Sequence, residues 1–347
     1  MEVKTFYYNK LFKLESGEEL AEFKIGYTTL GKLNKEKDNV VWICHALTGN
    51  ADPSDWWNGL VGEGRFFDPN KYFIVCANVL GSCYGSTNAL DNNSQTNEPY
   101  FHTFPLITIR DIVNSFEELR KFIGIDKIKL CIGGSLGAMQ ALEWSIMYKD
   151  VIESMAIIAV NARHSAWGIA FNEAQRMAIE SDQSWRQNHH EAGKEGMRAA
   201  RALALLSYRN YATYDLTQSD PDDDKIDDFQ ASSYERYQGE KLYRRFNAFS
   251  YWSLSKTMDS HNIGRGRNGL EETLREIKVN TLVIGISSDF LFPIHEQKFL
   301  AENIPNALFS EIDSIYGHDG FLIENEQISN CLKLFLEKNK TSDVILK

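Results

Sequence analysis

The pentapeptide Gly133-Gly134-Ser135-Leu136-Gly137 directly follows the apolar run Ile128–Ile132, and it limits the possible folds more than any other stretch of the chain. It reads as a strand turning sharply into a helix, with one serine at the turn. Gly133 and Gly137 let the strand and helix backbones approach closely, so the serine hydroxyl stands above the sheet edge. A serine hydroxyl is a weak nucleophile at neutral pH, and the turn carries chemistry only with a base and an orienting acid. Both follow downstream. Asp289 comes just after the strand-like run Thr281–Ser287, and His318 lies in Tyr316-Gly317-His318-Asp319. The order Ser…Asp…His, each residue after a strand or in a late loop, predicts a catalytic triad of Ser135, Asp289 and His318.

That order is the one an α/β-hydrolase sheet requires, and the rest of the chain agrees. Val40–His45, Tyr72–Leu80, Ile128–Ile132, Ser154–Val160, Thr281–Ser287 and Ala307–Ile312 read as strands. Most are continuous apolar stretches, the pattern of strands covered on both faces of a largely parallel sheet. Thr108-Ile109-Arg110-Asp111 resembles a capping box before the helix Ile112–Phe122, and Ala138–Tyr148 continues from the nucleophile as another helix. From 161 to 271 the pattern changes to helical segments such as Phe171–Ile179, Gly196–Tyr208 and Tyr243–Met258. The expected class is therefore α/β: an α/β-hydrolase core of residues 1–160 and 272–347, with a helical lid inserted at 161–271. Such an insertion is a usual place for substrate selection.

Composition excludes several other classes. A formal charge of −11 disfavours nucleic acid as a partner, because phosphate binding needs concentrated Lys and Arg. The start Met1-Glu2-Val3-Lys4-Thr5-Phe6-Tyr7 has no apolar targeting segment, and no run approaches the ~20 apolar residues of a membrane span. The five cysteines show no metal-type pairing. Cys44, Cys76 and Cys131 fall within strand-like runs and read as reduced core thiols, while Cys83 falls in a loop near the nucleophile. A cytoplasmic location fits best. Asp220, Asp222 and Asp224 imitate the first ligands of a calcium loop. Lys225 and Ala231 then stand where glycine and glutamate are required, so a solvated loop is expected and no metal site. His189-His190 has no partner at ligand spacing.

A triad of this kind needs an oxyanion hole, built from the amide after the nucleophile and one after an early strand. Leu136 N–H supplies the first. Position alone assigns the second to Leu47 N–H, in His45-Ala46-Leu47-Thr48-Gly49, where His45 itself is expected to serve the turn rather than the chemistry. Together these stretches resemble the homoserine O-acetyltransferase family. His45–Gly49 is similar to its oxyanion stretch and Gly85-Ser86-Thr87 to the loop after the next strand. Gly134-Ser135-Leu136-Gly137-Ala138-Met139-Gln140-Ala141-Leu142-Glu143-Trp144 is similar to its nucleophile segment. Ile169–Glu173 and Tyr237–Lys241 resemble lid motifs, and Gly317–Leu322 resembles the histidine segment. The resemblance runs from about residue 15 to 336.

The resemblance implies roles for further residues. Arg201 falls where an arginine takes the amino-acid carboxylate, Tyr208 where a tyrosine lines that site, and Asp319 where an aspartate takes the ammonium. A free amino acid carries both charges, so such a pocket wants a cation and an anion close together. Arg209 follows Tyr208, and helical geometry is expected to turn it to a different face. The implied activity is acetyl transfer from acetyl-CoA, as co-substrate, to L-homoserine by a ping-pong acyl-serine route in methionine biosynthesis. No bound cofactor is implied, and a homodimer is, through lid helices. The aromatic stretch Phe246–Trp252 could serve that pairing or cover the core. Succinyl transfer, a serine acceptor or plain carboxylester hydrolysis on the same triad remain alternatives. Asn88-Ala89, in place of the family's Gly-Pro, and Ala138, in place of a glycine, are expected to flank the acyl pocket. Arg265 and Arg267 are the candidate cluster for the CoA phosphates.

Overall fold

The apolar runs pair into one sheet of eight strands in a computed structural model that describes residues 1–345. The strands are β1 (Lys4–Tyr8), β2 (Phe23–Leu30), β3 (Val40–Cys44), β4 (Phe73–Ala77), β5 (Leu130–Gly134), β6 (Ser154–Ile158), β7 (Asn280–Ile286) and β8 (Ala307–Ile312). Their spatial order is β1-β2-β4-β3-β5-β6-β7-β8. β2 runs antiparallel to both its neighbours, and every other adjacent pair is parallel. β3, β5 and β6 are buried along their whole length, because both sheet faces are covered. Successive residues of a strand point to opposite faces. Trp42 therefore packs with Phe116 and Trp144 on one side, while Ile43 joins Ile132, Ile284 and Phe335 on the other.

The expected helices around the nucleophile form where their caps direct. Thr108 and Asp111 make the reciprocal capping box of α1 (Ile109–Ile123), which ends at Gly124 in the left-handed region, φ 80°. α2 (Leu136–Met147) starts directly after Ser135. Between β6 and β7 lie α3 (Ala166–Glu180), α4 (Lys194–Tyr208), α5 (Tyr211–Gln218), α6 (Gln230–Tyr243), α7 (Ala248–Asp259) and α8 (Leu270–Arg275). The segment Tyr243–Met258 is not one helix, contrary to the sequence expectation. Tyr243 closes α6, and the Asn247 side chain accepts the Ser250 N–H at 2.7 Å to open α7. In the stretch Phe246–Trp252, Phe246, Phe249 and Tyr251 are buried within the molecule. After β7 come α9 (Ile294–Asn303) and α10 (Asn325–Ile345), the latter packing against β7 and β8.

Candidate active site

The nucleophile turn is strained as its sequence requires. Ser135 sits at φ 56°, a region that costs a non-glycine residue of order 1–3 kcal/mol and persists only where the surroundings enforce it. They do so here. The Ser135 N–H donates to the Ile158 carbonyl of β6 at 3.0 Å. A Cβ on Gly137 would overlap the Cys44 carbonyl of β3, so only glycine lets α2 start this close to the sheet.

β7 delivers the acid and the following loops deliver the base. Asp289 Oδ1 accepts the N–H groups of Leu291 and Phe292, each at 2.9 Å, and Oδ2 meets His318 Nδ1 at 2.7 Å. Because Oδ2 binds Nδ1, the imidazole presents Nε2 to the cavity. The Phe292 ring stacks on His318 with centroids 5.0 Å apart, and Phe321 meets it edge-on at 5.4 Å. Ser135, Asp289 and His318 are all buried, at 5%, 4% and 3% exposure. A carboxylate held by two amides, and an imidazole held between rings, leave the base little rotational freedom.

Ala46, Leu47, Thr48, Ser135, Arg201, Tyr208, His318, Asp319, Phe321 and Leu322 line one small cavity of about 70 Å³. The structure thus brings the predicted nucleophile, base, Leu47 and the family-implied Arg201, Tyr208 and Asp319 to one place. Neither Leu47 N–H nor Leu136 N–H has a hydrogen-bond acceptor among the described residues. His45 is buried beneath this loop and neutral, its pKa lowered to about 4 by desolvation. The Arg201 guanidinium lies 5.5 Å from the Tyr208 ring centre and forms no ion pair among the described residues. Tyr208 packs 5.9 Å from the His318 ring, and burial raises its pKa.

Arg209 contradicts the expectation that it faces elsewhere. Its Nε donates to Asp319 Oδ2 at 2.7 Å, directly beside the triad histidine. The helical wheel does not apply to it: α4 ends at Tyr208, and Arg209 is the extended capping residue, with φ −108° and ψ −177°. A tight approach of the Gly317 turn to the Tyr208 and Arg209 backbone brings the lid and the histidine loop together.

Comparison with known proteins names this arrangement. Residues 39–324 match the α/β-hydrolase fold family. The homoserine O-acetyltransferase of Cyclobacterium marinum is 52% identical over 334 residues, covering 96% of this chain and 95% of that protein. The chain belongs to the homoserine O-acetyltransferase family. The solved homoserine O-acetyltransferase of Staphylococcus aureus superposes with a TM-score of 0.79 at 32% identity, covering 96% of this chain and 95% of that one. Esterase E22 superposes with a TM-score of 0.87 at 23% identity, covering 96% and 99%, which shows a shared fold alone.

Further features of this family member bear on the sequence reading. Arg265 is held by Glu15, its Nε and Nη2 donating at 3.0 and 2.8 Å. Arg267 Nη1 donates to both Glu143 oxygens, at 3.0 and 2.8 Å. These guanidinium groups are committed to carboxylates and do not line the triad cavity. Ala138 is buried within the core and Ala89 lines a separate cleft of about 480 Å³ between the Phe101–Leu106 stretch and α7, so neither flanks the triad cavity. The aspartate-rich loop serves structure: Asp220 pairs with Lys225 at 2.5 Å and accepts the Gln230 N–H at the start of α6. No metal-binding cluster occurs among the described residues. Burial pushes the Cys83 thiol up to about 11, which disfavours a thiolate. The sequence reading turns Arg209 to another face and gives Phe292 and Gln140 no role; only the structure places all three around the triad.

Proposed function

We propose that this chain transfers an acetyl group from acetyl-CoA to the hydroxyl of L-homoserine through an acetyl-Ser135 intermediate. His318 Nε2 takes the Ser135 proton as Oγ attacks the thioester carbonyl, and Asp289 stabilises the imidazolium. Leu47 and Leu136 N–H groups bind the resulting oxyanion, where one donor contributes on the order of 3 kcal/mol. The carbon–sulfur bond breaks and CoA leaves with the proton from His318. Homoserine then gives its hydroxyl proton to His318 and attacks the acetyl ester, and Ser135 is reprotonated as the product ester forms.

The observation that carries this reading is the Arg201 guanidinium, without an ion pair among the described residues, in the same cavity as the Asp319 carboxylate and the triad. Arg201 takes the substrate carboxylate, and Asp319, with Oδ2 on Arg209, offers Oδ1 to the ammonium. A hydrolase acting on neutral esters has no use for such a pair. The helices of 161–271 form the lid that keeps water from the acetyl-enzyme. The exposed lid residues Leu206, Tyr211 and Leu216 supply an apolar face for a homodimer. We propose a cytoplasmic location, as for a biosynthetic acyl transfer; separately, among the described residues no helix is long and apolar enough to cross a membrane.

A kinetic matrix tests the reading: acetyl-CoA and succinyl-CoA as donors, homoserine and serine as acceptors. Homoserine with acetyl-CoA is expected to give the highest kcat/KM. Acetyl-CoA alone should leave one acetyl group on the Ser135 peptide by mass spectrometry. Hydrolysis of p-nitrophenyl acetate without transfer to any amino acid would sink the acyltransferase reading. Sedimentation as a monomer at micromolar concentration would reject the dimer.

A further inference from the structure

The oxyanion donors belong to different segments, Leu47 to the loop after β3 and Leu136 to the first turn of α2, so no single element sets their spacing. A short chain of hydrogen bonds does. The Ala46 carbonyl lies 2.8 Å from His45 Nδ1 and accepts the Gly49 N–H at 2.9 Å. A carbonyl only accepts, so Nδ1 carries the imidazole proton. Nε2 is then free to accept the Val79 N–H, which it does at 3.0 Å. In a trans peptide the C=O and the next N–H point in opposite directions. Holding the Ala46 carbonyl on the His45 side therefore turns the Leu47 N–H the other way, towards the cavity. On α2 the Ser135 carbonyl accepts from Ala138 and Met139, at 2.9 and 3.1 Å, which leaves the Leu136 N–H aimed out of the helix start.

Gln140 joins these halves. Its Nε2 donates to the His45 carbonyl at 3.1 Å and to the Leu136 carbonyl at 3.0 Å. The side chain is fully buried, and its Oε1 has no partner among the described residues. An orphaned buried acceptor is a cost that an apolar side chain of this length would avoid. What the amide contributes is therefore its pair of donors.

We infer that Gln140 and His45 are positioning residues that hold the Leu47 and Leu136 amides in register as one oxyanion hole. The inference rests on the acyl-serine mechanism but not on the identity of donor or acceptor. It is tested in Gln140→Leu by the p-nitrophenolate burst from p-nitrophenyl acetate, by acylation from acetyl-CoA, and by inhibition with phenylboronic acid. The boronate forms a tetrahedral adduct on Ser135 with an oxygen in the hole. Both acylation rates should fall about 10- to 100-fold, below the 10²–10³ loss for deleting a donor outright. Boronate binding should weaken by a matching factor, with KM for acetyl-CoA within about twofold. Unchanged rates and boronate binding, whatever the thermal midpoint does, would overturn the inference. If Gln140→Leu does not fold, Gln140→Glu serves, because a carboxyl donates one hydrogen bond only while protonated. The wild-type-to-variant ratio of burst rates should then grow with pH, and a flat ratio counts against the inference. Failure of homoserine transfer with an intact p-nitrophenolate burst would remove the substrate reading and leave this test standing.

Discussion

The core and the lid hold their functional groups by different means. In the core, main-chain geometry does the holding: a left-handed φ presents Ser135, backbone N–H groups grip Asp289, and aromatic rings confine His318. The lid instead contributes long charged side chains, Arg201 midway along α4, Arg209 just after it and Arg245 in the turn after α6. Its outer surface leaves Leu206 53% and Tyr211 84% exposed, whereas β3, β5 and β6 are buried throughout. Bond making tolerates displacements well below an ångström, whereas an acceptor that enters and leaves needs groups able to adjust. On the proposed mechanism the core carries the chemistry, and the lid's Arg201 joins the core's Asp319 in choosing the acceptor.

The largest expected effect tests the core half of that division. Ser135→Ala removes the covalent step, and turnover should drop on the order of 10⁴-fold or more. Ala keeps every Ser135 atom except Oγ, so the thermal midpoint should stay within a few degrees. Retained activity in this variant, with no acetyl adduct on the wild-type peptide, would break the triad assignment.

Next in size comes the lid half. Arg201→Ala leaves a substrate carboxylate unpaired in a partly desolvated site, which costs roughly 1.5–3 kcal/mol, or about ten- to a hundredfold. Acylation involves no amino acid, so CoA release in a single turnover should be nearly unchanged while kcat/KM for homoserine falls. Arg201→Lys should restore part of it, since an ammonium cannot offer the two-pronged guanidinium face. Asp319→Ala should lose a similar factor and also strand Arg209. Equal slowing of both half-reactions in these variants would mean that they shape the triad rather than receive the acceptor.

The same division explains what the amino-acid sequence makes legible. β3 to β7 read as apolar runs because both faces of that part of the sheet are covered, while the edge strand β8 is only half-buried. β1 and β2 carry exposed or half-buried positions among their apolar ones, and nothing in Lys4–Tyr8 marks a strand. The triad is legible because strand, turn and chain order are local signals. Gln140 is not: within Leu136–Met147 it reads as one more position of a buried helix, and only the fold brings the His45 carbonyl to it. Arg209 is hidden differently, since periodicity predicts directions only while the helix continues. Asn247 is an ordinary helix cap, masked by the aromatic residues around it.

Acid should destabilise both regions. His45 and His261 have pKa values lowered to about 4, and His164 to about 3, all chiefly by burial. The His164 N–H donates to the His261 carbonyl at 2.9 Å, where the segment after β6 meets the end of α7. Unfolded, each would titrate near 6.5. Between about pH 4 and 6.5 the unfolded chain therefore binds protons that the folded chain does not, and stability falls as pH drops through that window. Each histidine contributes a slope of up to about 1.4 kcal/mol per pH unit. Thermal midpoints from pH 7 to 4.5 should decline less steeply in His261→Gln, whose amide can still reach the Asn161 carbonyl that His261 Nε2 now meets at 2.9 Å. Parallel curves would place the acid sensitivity elsewhere.

The smallest expected effect asks whether the division is complete. Arg245 Nη1 donates to the Thr48 carbonyl and to the Tyr84 hydroxyl, each at 2.7 Å, so a lid side chain ties down the residue after the oxyanion donor Leu47. Arg245 is exposed, and hydrogen bonds in contact with water contribute only about 0.5–1.5 kcal/mol net. Arg245→Ala should therefore slow acylation about two- to tenfold and shift the thermal midpoint little. Arg245→Lys, able to reach one acceptor at a time, should fall between. The loss should appear equally with acetyl-CoA and with p-nitrophenyl acetate, because the loop acts on the oxyanion and not on the donor. A rise confined to the KM for acetyl-CoA would instead make Arg245 a contact for the CoA moiety, giving the lid a part in donor as well as acceptor binding. No change with either donor would leave the oxyanion loop supported by the core alone, with the lid reaching the site through Arg201 and the Arg209–Asp319 pair.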